Sequence, residues 1–379
     1  MAFLAIDQID DFLEAVMHKY VKRDWKDISL PFQKYYFASR IFSKASSDEM
    51  EGDQVTWKLQ VNNPGNAQVT GLYAVDKANR VDLLTHGSMP WAIMDVKYTY
   101  DILESVFRSN KVQILNYIDV QEHAMYNDFM RLMEDLMFGA GWSSPSQNPR
   151  PPASLLWWIQ PYNTATGQPN NSATYQLPAG TNSGFLGMDP PGFSSVGAGN
   201  ILSSTYAGWR NRVGQYSVFS QEDAIDTIVE CMDKCMFTPA QSYAELAPGS
   251  KPEWELLTTY SRLKLARRLA DIANDNIGND LTAYKGTVLI NGVPLRWVPA
   301  WSNSTSVNQR TDGIILGVNW STFKYYGASG VRMMKTPPFR DATKSNVRWR
   351  KMTDSGQIVC FDRRANFAVN CTATVTEQD

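Results

Sequence analysis

The apolar positions of this chain recur at helical spacing in some segments and alternate in others. Residues 109–138 hold the longest periodic run. Leu115, Ile118, Met125, Phe129, Leu132 and Leu136 fall on one face, Ser109 can cap the start, and Gly139 and Gly141 stop it. The spacing predicts a helix of about 45 Å at 1.5 Å per residue, long against a usual length of about 11–12 residues, so it reads as a spine on which other layers lie. Residues 3–23 predict a second, amphipathic helix. Ile6, Ile9, Leu13, Val16 and Tyr20 form one stripe, Asp7, Asp10, Asp11 and Glu14 fill the first half, and Lys19, Lys22 and Arg23 fill the last turn, in accord with the helix dipole. It suits either an arm that docks on a partner or a helix packed on its own domain.

Alternation marks the strands. In residues 54–61, Val55, Trp57, Leu59 and Val61 share one side; Asn62, Asn63, Pro64, Gly65 and Asn66 signal a turn, and residues 69–75 read as the returning strand. This long hairpin either belongs to a compact sheet or projects toward a neighbouring subunit; projection is the reading slightly favoured. Residues 219–238 predict a helix, with Ser220 and Asp223 resembling a capping box and Pro239 ending it. Residues 253–300 read as strand, helix and strand. Leu263, Ala266, Leu269 and Ala270 face inward there, and Arg262, Lys264, Arg267 and Arg268 form a basic face that is either solvated or phosphate-binding. Asn291-Gly292 is the sharpest hairpin signal, and Pro294 and Pro299 mark the returning strand as an edge. Residues 313–318, 346–352 and 357–361 read as strands, with Asp354-Ser355-Gly356 as the turn between the last two.

One stretch fits neither pattern. Across residues 143–209 only Arg150 and Asp189 are charged, and Leu155-Leu156-Trp157-Trp158-Ile159 sits among Pro, Gly, Asn, Ser and Thr. Disordered tracts are charged and poor in aromatics, so this stretch reads as ordered loop lying against protein. It packs either on another chain or as a large insertion within one.

Composition narrows the function. The chain has 379 residues, 36 Lys and Arg against 38 Asp and Glu, and a formal charge of −2. That balance argues against a dedicated nucleic-acid binder. A hydrophobic content of 43%, with 12 Trp, 17 Tyr and 16 Phe, supplies a core. Residues 331–370 are locally basic, nine Lys and Arg to three Asp and Glu, and suit acidic partners, phosphates or ion pairs between subunits. Four cysteines (Cys231, Cys235, Cys360, Cys371) are too few for a disulfide scaffold. The absence of a signal segment and of an 18-residue apolar run argues for a cytosolic product with no membrane span.

Chemistry is sparse. Three histidines (His18, His86, His123) and no phosphate-binding, dinucleotide or nucleophile-elbow motif occur. Glu122-His123 has no second histidine at zinc spacing, Cys231 and Cys235 lack ligand partners and read as buried thiols, and the carboxylate pairs Asp10-Asp11, Glu134-Asp135 and Glu222-Asp223 suit capping or exposure on predicted helices. No catalytic, cofactor-binding or metal residue is assigned, no cofactor is expected, and the chain is not read as an enzyme. The aromatic, charge-poor loops would also suit a carbohydrate binder.

The order of parts resembles the major capsid proteins of tailed bacteriophages, with the Hong Kong 97-type fold. The local matches are residues 286–294 (GTVLINGVP), residues 356–367 (GQIVCFDRRANF) and Trp209-Arg210-Asn211. The resemblance implies an α+β fold: an N-terminal arm (1–50), an extended hairpin loop (51–90), a spine-helix peripheral domain (91–238) with the loop or insertion 143–209, an axial α/β domain (239–330), and closing strands of the peripheral domain with a tail (331–379). It also implies self-assembly, through pentamers and hexamers, into an icosahedral shell around double-stranded DNA held non-specifically, with hairpin and arm reaching over neighbours. Scaffolding, portal and decoration proteins are the implied partners, and the virion, made in the host cytoplasm, is the implied location. A bacterial nanocompartment shell of the same fold is the alternative assembly.

Overall fold

The computed structural model describes residues 47–62, 66, 69–71, 82–101, 111–139, 142–160, 183–187, 189–190, 192–236, 253–273, 288–302, 314–340 and 347–371. The helix expected over 3–23, part of the hairpin turn, most of the return strand expected over 69–75 and residues 161–182 of the uncharged stretch lie outside these.

The described strands are β1 (Ser47–Met50), β2 (Gln54–Gln60), β3 (Leu84–Pro90), β4 (Ala92–Asp101), β5 (Ser183–Gly187), β6 (Asn211–Tyr216), β7 (Trp254–Thr258), β8 (Val288–Ile290), β9 (Val293–Trp297), β10 (Ile315–Asn319), β11 (Phe323–Ala328), β12 (Met334–Lys335), β13 (Phe339–Arg340), β14 (Val347–Cys360) and β15 (Phe367–Cys371). The α-helices are α1 (Lys111–Phe138), α2 (Leu155–Trp158), α3 (Asp226–Met236), α4 (Tyr260–Ala273) and α5 (Pro299–Ser302). The fold is mixed α+β. Two compact units divide the chain: one takes the described parts of Met1–Glu51, Ala92–Asp135 and Gly327–Gly356, the other those of Gly52–Trp91, Leu136–Tyr326 and Gln357–Asp379.

In the first unit, β14 is the central strand. It pairs antiparallel with β4 from Val347↔Asp101 to Gly356↔Ala92, and with β12 and β13 at Met352 and Thr353, and Arg348 and Trp349. Ala92, Met94 and Tyr98 point to one face of β4 and are buried. On that side Lys335 makes an ion pair with Glu122 of α1 and lies 4.9 Å from the Tyr126 ring centroid. Burial opposes the Lys335 charge, but Glu122 and Tyr126 outweigh it and hold its pKa above the ordinary lysine value. Met125, Phe129 and Met133 supply the buried stripe of α1.

The turn expected at Asp354-Ser355-Gly356 does not form; β14 runs straight through it. Each of the three residues pairs with β4 (Met94, Ile93 and Ala92), and the Asp354 carboxylate accepts from the Met333 N–H at 3.0 Å, where φ is +44°. A polar tripeptide signals a turn only where its backbone has no better partner.

In the second unit a seven-stranded sheet runs β5-β6-β15-β10-β7-β9-β8, with β6/β15 and β7/β9 parallel. Its core on the helix side joins Tyr216, Ile228, Met232, Leu256, Leu263, Leu295, Ile315 and Phe367. Ser220 caps the helical run ahead of α3 by accepting from the Asp223 N–H, as the sequence suggests. A π-turn, Gln221–Ile225, precedes α3. Asn291 and Gly292, at φ +48° and +78°, make the expected two-residue hairpin between β8 and β9.

Strand β9 is not an edge, contrary to the reading of its prolines. It lies between β7 and β8. Leu289↔Pro294 is one step in from the turn, so the proline nitrogen points away from β8, and pairing with β7 begins only at Leu295. No ladder bond is lost.

Glu255 of β7 is buried. Trp320 Nε1 donates to its Oε2 at 2.8 Å, and Arg296 Nε lies 3.3 Å from Oε1. Burial raises its pKa, against the opposing Trp320 hydrogen bond and Arg296 charge. A carboxyl held above its unfolded pKa contributes stability that is complete below the ordinary carboxylate range and lost as pH rises through the folded value. The stability of Glu255→Gln relative to the parent is therefore expected to increase as pH rises through that window, read from urea midpoints between acid and neutral pH. A constant difference would contradict the raised pKa.

Candidate functional site

The described residues of the charge-poor stretch are folded into the second unit. Ser154 Oγ accepts from the Trp157 N–H at 3.1 Å and caps α2, the turn that carries Leu155, Leu156, Trp157 and Trp158. Trp157 is stacked on Trp142 (5.6 Å) and meets Phe193 and Trp158 edge-on at 5.3 and 4.9 Å. Trp158 Nε1 donates to the Ile358 carbonyl at 3.1 Å. Trp157, Trp158, Trp209 and Phe193 are all buried. Their rings face one another, so none of these four offers the open aromatic face that a carbohydrate binder needs, and together they form a core.

Arg363 holds this loop together. Its side chain is fully buried. Nε donates to the Trp158 carbonyl (2.8 Å), Nη1 to the Trp209 carbonyl (3.1 Å) and Nη2 to Asn211 Oδ1 (3.2 Å). Asp189 Oδ1 lies 4.0 Å from Nη1, and the guanidinium carbon lies 5.9 Å from the Trp209 ring centroid. Burial lowers its pKa to about 10, against the Asp189 charge, so it stays cationic at neutral pH. Asp189 in turn accepts from the Ser203 N–H at 3.1–3.2 Å. Asn211 completes the node: its Oδ1 also accepts from the Gln160 N–H (3.1 Å), and its Nδ2 donates to the Gln160 carbonyl (2.8 Å). Gly187 makes room, since a Cβ there would sit 2.0 Å from Asn211 Oδ1. The sequence marks Asp189 as a lone charge, but nothing in it names Arg363 as the counterion.

The hairpin is rooted in the same place. β2 pairs with β3, Gln54↔Pro90 to Gln60↔Leu84, and Val61 N–H donates to the Leu83 carbonyl at 2.9 Å. The returning strand is thus 84–90 rather than 69–75. Trp57 fixes that register: its indole covers Gly87, where a Cβ would meet Cε2 at 2.3 Å, and packs edge-on against Trp158 at 6.2 Å. Ser88 N–H donates to the Gly199 carbonyl (2.9 Å), and Trp91 Nε1 to the Gly52 carbonyl (2.8 Å). Away from this root the apolar residues are bare: Leu83, Leu84 and Val69 are all exposed.

The other sequence candidates stay apart. Among the described residues no three of His, Cys, Asp and Glu gather as metal ligands. Glu122 is taken by Lys335. Cys231 and Cys235 are buried free thiols, and burial raises both pKa values, Cys231 to about 11. Glu134 is buried, not exposed, while Asp223 caps a turn by accepting from the Ser217 and Val218 N–H groups. Arg262 leaves the expected basic face: it is buried, its guanidinium carbon 5.6 Å from the Tyr216 ring centroid, whereas Lys264, Arg267 and Arg268 are exposed. The basic segment 331–370 spends charge within the chain, Lys335 on Glu122, Lys351 on Asp95, Arg363 on Asp189 and Arg364 on Asp362. No described helix is long and apolar enough to cross a membrane.

No protein-family model and no curated protein sequence matches the chain. Solved structures do. The cyanophage A-1(L) capsid subunit superposes with a TM-score of 0.55 at 12% identity, over 93% of this chain and 96% of that one. Capsids of the empty and native GTA particles give TM-scores of 0.53 and 0.51 at 8% and 9% identity, covering 93% and 94% of this chain and 96% of theirs. With an α+β architecture matched across nearly its whole length, the chain has a fold similar to that of these capsid subunits.

Proposed function

We propose that this chain is a structural major capsid protein whose copies self-assemble, through pentamers and hexamers, into an icosahedral head shell around double-stranded DNA. The observation that supports the reading most is end-to-end likeness to capsid subunits, 93% of this chain against 96% of one of them. In this reading 51–90 is the loop that reaches a neighbouring subunit, 91–238 and 331–379 form the peripheral domain around a spine helix, and 239–330 forms the axial domain. Scaffolding, portal and decoration proteins are its partners, and it catalyses no reaction. It is made in the host cytoplasm and resides in the virion.

The physical argument concerns surface. A shell subunit needs self-complementary interfaces, of about 1,200–2,000 Å² each, more than a pocket. Near-neutral net charge spares many copies mutual repulsion. The test is expression alone and with candidate scaffolding proteins, followed by sedimentation and negative-stain microscopy. Closed particles of uniform size are expected in at least one condition. Monomers alone under every scaffold and salt condition would refute the proposal.

A further inference from the structure

Helix α4 begins where strands of the second unit end. Pairing runs Thr258↔Ile315↔Val369↔Gly214 across β7, β10, β15 and β6. β6 and β15 are parallel, and β10 is antiparallel to both β15 and β7, so β6 and β7 point the same way. Their carboxyl ends, Tyr216 and Thr258, lie at one edge of the sheet, and α4 starts there at Tyr260. In open α/β sheets ligands bind outside the carboxyl ends of the strands.

The first turn of α4 is electrically bare. The Leu263 N–H donates to the Thr259 carbonyl at 3.1 Å, the first bond that closes the helix. The N–H groups of Tyr260, Ser261 and Arg262 therefore come before any intrahelical acceptor. No acidic residue stands in this turn, and the helix's acidic residue, Asp271, is near its far end. α4 itself thus leaves the positive end of its dipole uncompensated. The hydroxyls of Thr259 and Ser261 lie 3.1 Å apart beside it, and Ser261 is exposed.

Arg262 adds an independent observation. It is 3% exposed, yet its Nε and Nη2 have no hydrogen-bond partner among the described residues. Nor does it make an ion pair among them, and the same holds for Lys264 and Arg268, which are exposed on the same helix. Of the acidic residues just after Tyr216, Asp223 Oδ2 is taken by the Ser217 and Val218 N–H groups at 2.8 and 2.9 Å, and Glu222 is exposed. The Arg262 guanidinium carbon lies 5.6 Å from the Tyr216 ring centroid, at this same edge of the sheet, and helical side chains lean toward the helix start. A cation removed from water without a counterion is destabilising. A guanidinium fork matches a phosphate oxygen pair, and the N–H groups of a helix start supply the remaining donors. We propose that the first turn of α4, with Arg262, binds a phosphate group, either as the free ion or as a phosphodiester of nucleic acid. The site belongs to the single chain, so its test is separate from that of shell assembly.

Calorimetric titration of the full chain with inorganic phosphate, at constant ionic strength in chloride, tests it. Saturable binding of one ion per chain is expected. Ser261→Asp puts a carboxylate into the turn at an exposed position, where an acidic residue favours the helix. That variant should fold and bind phosphate at least about tenfold more weakly. Arg262→Met, which removes the guanidinium, should weaken binding as well. Short duplex DNA is then added to the phosphate-bound parent: displacement of phosphate assigns the group to a phosphodiester, and no displacement assigns it to the free ion. No saturable phosphate binding by the parent, or unchanged affinity in Ser261→Asp or in Arg262→Met, would overturn the proposal.

Discussion

Replacing Arg363 by methionine is expected to cost about 3–5 kcal/mol, the penalty of breaking a buried ion pair by removing one partner, and to lower the urea midpoint of the second unit accordingly. Methionine keeps an unbranched stem but leaves the carbonyls of Trp158 and Trp209 and one Asn211 acceptor site without the donors they now have. It also leaves Asp189, 5% exposed, without its cation. Buried acceptors stripped of their donors cost about 1–3 kcal/mol each when nothing replaces them. Lysine keeps the charge but not the planar fork that serves three acceptors at once, so Arg363→Lys should recover only part of the loss. In Arg363→Met with Asp189→Asn the uncompensated carboxylate is gone, and the double variant should lose less than the two single losses added together. Equal additivity, or a loss under about 1 kcal/mol for Arg363→Met, would mean that the node is peripheral to stability.

The elements that were legible in the sequence are those whose signal is local. α1 could be read from unbroken periodicity, and the β8–β9 hairpin from Asn291-Gly292, because two adjacent positive φ angles admit few other residues. The elements misread are those decided by distant partners. Asp354-Ser355-Gly356 is extended because β4, some 260 positions earlier in the chain, supplies its backbone partners. The partner of β2 is 84–90 because Trp57 needs a residue without a Cβ across from it, and Gly87 provides one. β9 is internal because a proline beyond the end of the β7 ladder costs nothing. The Arg363 node was half visible: Asp189 stood out in an uncharged stretch, but its counterion lies 174 positions away, and composition does not encode pairing. Four described aromatics of the charge-poor stretch, Trp157, Trp158, Phe193 and Trp209, are buried for a related reason. Aromatic count reports available ring area, whereas burial decides whether that area faces a ligand or another ring.

Replacing residues 62–82 by Asn-Gly is expected to leave the subunit folded and to abolish particle formation. Val61 and Leu83 are already joined by the Val61 N–H bond to the Leu83 carbonyl, the arrangement that a two-residue turn closes. The root is untouched: Trp57 still covers Gly87, and Ser88 still donates to Gly199. Thermal midpoint and near-ultraviolet dichroism should therefore stay close to those of the parent. What is lost is the segment that the proposed function places against a neighbouring subunit, with exposed Val69 in it. Each large apolar side chain that an interface would have buried is worth about 1.5–3 kcal/mol, and a shell repeats that loss at every subunit contact. A milder variant, Leu84→Asp, keeps the loop but puts a charge on its exposed apolar stem, and should slow assembly without preventing it. Sedimentation and microscopy read both variants against the parent under whichever condition gives particles. Normal particles from the Asn-Gly variant would show that the loop makes no shell contact of consequence.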